Sequence, residues 1–301
     1  MPLFFVVNPK AGRGKALQTW RVLQGVLQRN GVDFQHVFTE YPGHATLLAG
    51  QAVASGFETC VGVGGDGTLH ELLPALIGTS TALACVPAGT GNDFARGLGW
   101  PRSPDVQVSL LTSAERRRID VLRVNEHPYL NVASAGFDAI VADAVNRQLR
   151  MGHGMLPYLL GFFKTLLTYR NAPLTIRFDD EVPLECQALL VAAGNLNYYG
   201  GGMKICPGAS PHDGLIDFCV AGDVTKAEAL LAFPRIFTGS HLTHPKVIYR
   251  RARVVRIDGP PLPIQAVGQI VGTLPATFSV ERQALWTLMP SQGLTERRKD
   301  G

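Results

Sequence analysis

The chain has 301 residues, 46% of them hydrophobic and 17% charged, which excludes a disordered or fibrous protein. Its 28 Lys and Arg against 24 Asp and Glu leave a net charge of +4, too mild to point to nucleic acid as a partner. No apolar run approaches the roughly 20 residues of a membrane span.

Met1–Val7 is too short and too poor in basic residues for a signal peptide, and it reads as a first strand, Leu3–Val7. Lys15–Asn30 has helical spacing in Leu17, Trp20, Leu23, Val26 and Leu27, and stops at Gly31. Phe34–Phe38 is a second strand, and Ala45–Ala54 a helix of small residues. Thr59–Val63 is a third strand with a helix behind it through Ile77, and Ala82–Val86 a fourth. Strand, turn and helix repeated in this way predict a doubly wound parallel sheet over residues 1–121.

From about Asp120 the texture changes. Short β-like segments follow at Val121–Val124, Tyr129–Ala133, Leu174–Phe178, Ala188–Ala192, Leu215–Val220, Val247–Ile257 and Ala276–Val280. Helical patches interrupt them at Asp138–Arg150, Leu156–Tyr169 and Thr225–Phe237. The expected architecture is therefore α/β, with a β-rich, sandwich-like second domain over residues 122–281. The segment from about 282 to 301 is expected to return to the first domain, ending in a polar tail at Leu294–Gly301.

The patch Leu156–Tyr169 is apolar on more than one face, so it is expected either to be buried or to touch lipid. Basic clusters at Arg116–Arg118, at Arg250, Arg251, Arg253 and Arg256, and at Arg297–Lys299 read as a solvated face or as attraction to an anionic membrane. Five cysteines (60, 85, 186, 206 and 219) form no CxxC pair, which predicts reduced thiols and a cytoplasmic chain. His241 and His244 have no third ligand nearby and read as structural.

Three turns carry the chemistry. They are Asn8-Pro9-Lys10-Ala11-Gly12-Arg13-Gly14-Lys15, Gly64-Gly65-Asp66-Gly67-Thr68 with Glu71 behind it, and Pro87-Ala88-Gly89-Thr90-Gly91-Asn92-Asp93. In a parallel sheet all three fall at carboxyl ends of strands, where ligands bind. Glycine lets backbone N–H groups approach phosphate oxygens, and a helix N-terminus behind adds a favourable dipole. Thr68 and Thr90 supply hydroxyls, and Lys10, Arg13 and Lys15 supply positive charge. Asp66 and Asp93 among phosphate-friendly groups call for Mg²⁺. A Walker A loop is absent, because Gly14-Lys15 is followed by Ala16. Gly62–Gly67 matches GxGxxG, but the acid expected about 20 positions on is replaced by Pro87. No Gly-x-Ser-x-Gly elbow is present.

Gly64–Thr68 resembles the Gly-Gly-Asp-Gly-Thr run shared by diacylglycerol, sphingosine, NAD and 6-phosphofructo-kinases. Pro87–Arg96 narrows this, since it is similar to the P-x-G-T-x-N-D-F-A-R signature of the diacylglycerol kinase catalytic family. Ile119-Asp120-Val121 with Tyr129–Asp138, then Gly201–Lys204, Pro207–Ala209 and Asp213–Asp217, resemble the domain junction and second-domain motif of that family.

The resemblance implies an ATP- and Mg²⁺-dependent kinase whose acceptor is a lipid hydroxyl at a membrane surface, with the acceptor between the domains. It implies nucleotide binding by Asn8, Pro9, Lys10, Gly64, Gly65, Asp66, Gly67, Thr68, Glu71, Gly89, Thr90 and Asn92. Asp66, Asp93 and Asp120 would form a carboxylate–water–Mg²⁺ network, and Asp213 and Asp217 a second, structural metal position. Asp120 also reads as a strand-start cap and Asp213 as a turn residue. A homodimer is compatible with the sequence.

One departure stands out. The family carries Asp-Gly-Glu about eight residues before the proline of its last strand, and the Asp is taken as the base for the acceptor. Counting back from Pro275 places Val267-Gly268-Gln269 there, so Val267 and Gln269 stand at the two carboxylate positions. Asp258-Gly259-Pro260 is the alternative register. The competing readings are a catalytically weak nucleotide- or lipid-binding protein and a relative of NAD or sugar kinases.

Overall fold

The computed structural model describes residues 2–148 and 165–290. The chain divides into two compact units, Met1–Val121 with the chain from Arg282 onward, and Leu122–Glu281.

In the first unit β1 (Leu3–Val7) is buried along its whole length. A tight 3-10 turn leads into α1 (Lys15–Arg29), whose Ala16, Trp20, Leu23 and Leu27 form one buried stripe at helical spacing. Trp20 packs on Phe5 with ring centroids 4.9 Å apart, fixing α1 to the sheet. The order continues with β2 (Phe34–Phe38), α2 (His44–Ala54), β3 (Thr59–Gly64), α3 (Asp66–Leu76), β4 (Ala82–Pro87), α4 (Asp93–Gly97) and α5 (Pro104–Ser113). The strands are parallel in the order β2-β1-β3-β4, so the winding reverses between β1 and β3. Loops leaving β1 and β3 diverge there and open a crevice at the carboxyl edge.

The chain passes to the second unit within β5 (Glu115–Val124). There follow β6 (His127–Tyr129), β7 (Val132–Gly136), α6 (Phe137–Gln148), β8 (Ala172–Phe178), β9 (Leu184–Ala188), β10 (Leu190–Gly194), β11 (Ile216–Ala221), α7 (Lys226–Ile236), β12 (Val247–Ala252), β13 (Val254–Asp258), β14 (Pro263–Ala266), β15 (Gln269–Thr273) and β16 (Ala276–Met289). Six of these form an antiparallel sheet in the order β12-β11-β10-β7-β14-β15. Period-2 alternation gives this sheet two apolar faces. Ala133, Ala135, Val191, Ala193, Phe218 and Val220 meet Ile176, Phe178, Val255, Ile257 and Phe278 of the facing strands. Val132, Leu190, Ala192 and Cys219 pack on the helical side with Phe137, Val141 and Leu166. The second unit is thus a β-sandwich with helices on one outer face.

Three expected strands are broken. Tyr129–Ala133 splits at Leu130–Asn131 and Ala188–Ala192 at Leu189. Val247–Ile257 splits at Arg253 into β12 and β13, which lie in different sheets. The break is held by Asp179, whose carboxylate accepts the N–H groups of Arg253 and Val254 at 3.0 and 2.9 Å. Of the expected helix Leu156–Tyr169, all but the end from Thr165 lies outside the described residues, as does the tail Leu294–Gly301. β16 carries the chain back, and Thr287 pairs with Leu83 of β4 in parallel.

Candidate active site

The three glycine turns of the first unit interlock. Asn8 Nδ2 donates to Thr68 Oγ1 at 3.1 Å, joining the first turn to the second, and Asn8 Oδ1 accepts the Lys10 N–H. A Cβ on Gly12 would lie 2.1 Å from the Ala88 carbonyl oxygen, so only glycine lets the first turn touch the third. Gly65 and Gly89 face each other with the same consequence, and a Cβ on Gly64 would strike Thr68 Oγ1 at 2.4 Å. Asn92, at φ +54°, locks the third turn by accepting the Gly89 N–H and donating to the Gly89 carbonyl. Pro9 is half-buried, while Lys10, Thr90, Arg13 and Lys15 are exposed. At the start of α3 the N–H groups of Asp66 and Gly67 have no acceptor within the helix, which suits an anion.

The acids divide by their partners. Asp66 Oδ1 accepts the Phe94 N–H at 2.9 Å, tying α3 to α4, and Oδ2 makes no hydrogen bond among the described residues. Asp93 is buried and ion-paired with Arg96 at 2.5 Å. Asp120 is buried, and its Oδ1 accepts the N–H of Gln283, a residue at φ +50° in β16. Glu71 turns away from the glycine turns, because its Oε2 accepts the Gly43 N–H at the head of α2. Mg²⁺ takes one or two carboxylates and completes its shell with water and phosphate oxygens. Asp66, with one oxygen unbonded at a helix N-terminus, fits that demand.

In the second unit Val267 and Gly268 are the two central residues of the β14–β15 hairpin, at φ +53° and +75°, between the paired Ala266 and Gln269. Both positions are left-handed, the geometry of a type I′ turn that favours Asn-Gly or Asp-Gly. Val267 is therefore a β-branched residue in a conformation suited to Asp. Gln265 holds the turn, donating to Ser134 Oγ at 2.6 Å and accepting the Gly268 N–H at 2.9 Å. Gln269 is exposed, and so is Asp258 at the end of β13.

Asp213 and Asp217 both approach Arg251, and the buried Asp217 Oδ2 has no hydrogen-bond partner. Asp217 lies opposite Arg251 in the β11–β12 ladder. Its Oδ1 accepts from Arg251 Nε at 3.0 Å and from the Tyr249 hydroxyl at 2.8 Å. Arg251 also donates to the Gly208 carbonyl and approaches Asp213 Oδ2 to 3.8 Å. Asp213 Oδ1 accepts the Leu215 N–H, an ordinary turn contact. A guanidinium thus supplies positive charge to Asp217 Oδ1. Among the described residues no group of three His, Cys, Asp or Glu side chains is placed to hold a metal ion.

The second unit also holds a cavity that the sequence did not predict, although Phe137, Asp138 and Met203 of the family motifs line it. It is a partly open cavity with a volume of about 90 Å³. Its walls are apolar, among them Phe137, Val141, Leu190, Met203, Phe233 and Ile236. Asp138 also lines it, with an enclosed Oδ2 that has no hydrogen-bond partner. Burial pushes this carboxyl up to about 6, against smaller opposing effects from Ser134, the Ala139 N–H and Tyr199. Tyr169, with its own unpartnered hydroxyl, is pushed up to about 12, first by burial and then by Asp138. His241 is buried beside the cavity, within 3.1 Å of the Ile205 carbonyl, and His244 accepts the Lys246 N–H. In the sequence Asp138 closes the run Tyr129–Asp138 that resembles the family's domain junction and opens a helical patch, with no sign of a cavity.

The fold is shared with two-domain kinases. A diacylglycerol kinase from Bacillus anthracis str. Sterne, of known crystal structure, superposes with a TM-score of 0.74 at 22% identity, covering 96% of this chain and 97% of that one. An NAD kinase from Archaeoglobus fulgidus, solved in complex with ATP, gives 0.54 at 13% identity, covering 99% and 97%. The profile of the diacylglycerol kinase catalytic domain matches residues 2–124, and that of the YegS C-terminal NAD kinase beta sandwich-like domain matches residues 131–289. A diacylglycerol kinase of Mycobacterium tuberculosis (strain ATCC 25618 / H37Rv) is 33% identical over 294 residues, spanning 96% of this chain and 95% of the relative. One from Staphylococcus haemolyticus is 28% identical over 276 residues, spanning 91% and 83%. The chain belongs to the diacylglycerol kinase family.

Proposed function

We propose that the chain is an ATP- and Mg²⁺-dependent lipid kinase that transfers the γ-phosphate of ATP to the hydroxyl of diacylglycerol or a related lipid. The observation that carries a lipid acceptor is the apolar lining of the cavity in the second unit, which suits hydrocarbon better than a sugar or dinucleotide. The interlocked turns support the nucleotide half of the reading. Backbone N–H groups at the start of α3 meet phosphate oxygens, Lys10 and Lys15 add charge, and Asn8–Thr68 and Asn92–Gly89 hold the loops in register. Asp66 is the ligand for Mg²⁺, which when bound would neutralise charge on the transferred phosphate. The five described thiols are all free, consistent with a reducing cytoplasm, and among the described residues no helix is long and apolar enough to cross a membrane.

A second reading, a nucleotide- and lipid-binding protein with little turnover, is favoured by one observation. The hairpin position suited to Asp holds Val267, and Gln269 beside it is neutral, so no carboxylate is there to take the acceptor proton. Transfer of radiolabel from ATP to a panel of diacylglycerol, long-chain bases and alcohols, NAD and sugars separates the readings. Labelled lipid is expected, with Asp66→Ala abolishing Mg²⁺-dependent ATP binding while the fold persists. Label in NAD or sugar alone overturns the lipid reading. ATP binding without transfer to any acceptor establishes the second.

A further inference from the structure

Helix α7 reverses the usual arrangement of a surface helix, which buries its apolar stripe and turns its polar face to water. The exposed face of α7 carries Ala227, Leu230, Leu231 and Pro234, with Phe237 at its C-cap. Leu231 is 76% exposed and Phe237 49%. The opposite face, with Ala229, Ala232, Phe233 and Ile236, lines the cavity. Both broad faces are therefore apolar, and no residue of the helix is fully buried. The charged residues sit at the margins, and only the acid is paired with an opposite charge. Glu228 pairs with Lys246 at 2.8 Å and closes a capping box with Thr225, and Arg235 donates to the Ser240 carbonyl.

The patch extends beyond the helix. Lys226 Nζ donates to the carbonyl of Leu167, which is itself 69% exposed, so the two segments stand side by side. Arg170 and Lys226 share the adjoining groove. An exposed apolar face of this kind marks a contact site, and this one is fringed by Arg170, Lys226 and Arg235. The acids nearby are Glu228, held by Lys246, and Asp223, which accepts from Asn171.

We infer that the outer face of α7, together with Leu167, seats the protein on an anionic bilayer, with the apolar side chains in the acyl boundary and the three cations among lipid headgroups. The charge pattern selects this occupant. Anionic headgroups pair with the cations, whereas a second copy docking on the same patch would bring like charges together. The seat also places the wall of the cavity against the phase that holds a lipid acceptor, and this part alone rests on the lipid-kinase reading.

Sedimentation of the full chain with vesicles of phosphatidylcholine, with and without phosphatidylglycerol, tests the inference. Binding is expected to the anionic vesicles and to weaken with salt. Leu230→Glu combined with Leu231→Glu should weaken it at least tenfold while leaving the thermal melt and Mg-ATP binding unchanged. Leu231→Trp should show a blue-shifted emission on vesicle binding. Three results overturn the inference. One is no vesicle binding by the unaltered chain. Another is equal binding by the double variant with no emission shift in the Leu231→Trp variant, which would move the contact elsewhere, the apolar stretch at residues 155–163 being the first place to look. The third is a dimer that the double variant converts to monomer, which would make a second copy the occupant. Failure of the surface leaves the kinase reading intact, because detergent-dispersed acceptor needs no bilayer. Failure of lipid phosphorylation with vesicle binding intact leaves the surface standing.

Discussion

A Cβ placed on Gly89 would lie 2.4 Å from the Cα of Gly65, backbone against backbone, where neither loop has a flexible side chain to move aside. The second and third turns form one platform because both positions are glycine. Gly89→Ala should push the loops apart, at a cost of about 1–3 kcal/mol in stability. Mg-ATP affinity should fall at least tenfold, read by calorimetry beside a thermal melt. Gly14→Ala, where a Cβ meets nothing within 4 Å, isolates the cost of a positive φ without the clash.

The hairpin at Val267 separates strain from chemistry. A β-branched residue at φ +53° costs on the order of 1–3 kcal/mol. Val267→Asn should recover part of that in stability with no effect on turnover. Val267→Asp with Gln269→Glu should recover it and also raise kcat, by the 10²–10⁴ that a positioned base contributes, with ATP affinity unchanged. If the unaltered chain turns over at ordinary kinase rates, of order 1–100 s⁻¹, another residue is the base and Asp258 is the first to replace.

Asp138 should leave a mark on the pH dependence of stability. Its carboxyl is raised to about 6 by burial, so the folded state holds the proton more tightly than the unfolded state. Stability from this group is therefore present below the ordinary carboxylate range and is lost as pH rises toward 6. Asp138→Asn should exceed the parent by about 1–3 kcal/mol above pH 6, and the two melts should converge below pH 4. A constant difference across that range would show that Asp138 does not titrate there.

The Asp217–Arg251 pair predicts that the second unit folds without divalent cations. Chelation with EDTA should leave the thermal midpoint of the nucleotide-free chain unchanged. Arg251→Met should cost about 1–3 kcal/mol, because it strips a charged donor from a carboxylate with no solvent exposure of its own. A midpoint that falls with EDTA would mean that a cation shares the site.

The sequence by itself determined what is local. Alternating strand and helix signals, with glycine turns at the strand ends, set the parallel sheet and put Gly64–Thr68 and Pro87–Asp93 at its carboxyl edge. Period-2 runs made the second unit β-rich, and the Val267-Gly268 pair was legible as the family's altered turn by counting from Pro275. The tertiary structure decided which of these pieces meet. Glu71 was read with the phosphate turn, yet helix packing gave its carboxylate to Gly43. Asp213 and Asp217 read as metal ligands, and only the register of β11 against β12 brings Arg251 opposite Asp217. No glycine or proline marks the break at Arg253, since it is made by Asp179 from a distant hairpin. The cavity around Asp138 and the exposed apolar face of α7 were equally hidden. Spacing along a helix reports that a face is apolar, but which face is covered depends on residues far away in the chain, brought there by strand register and packing.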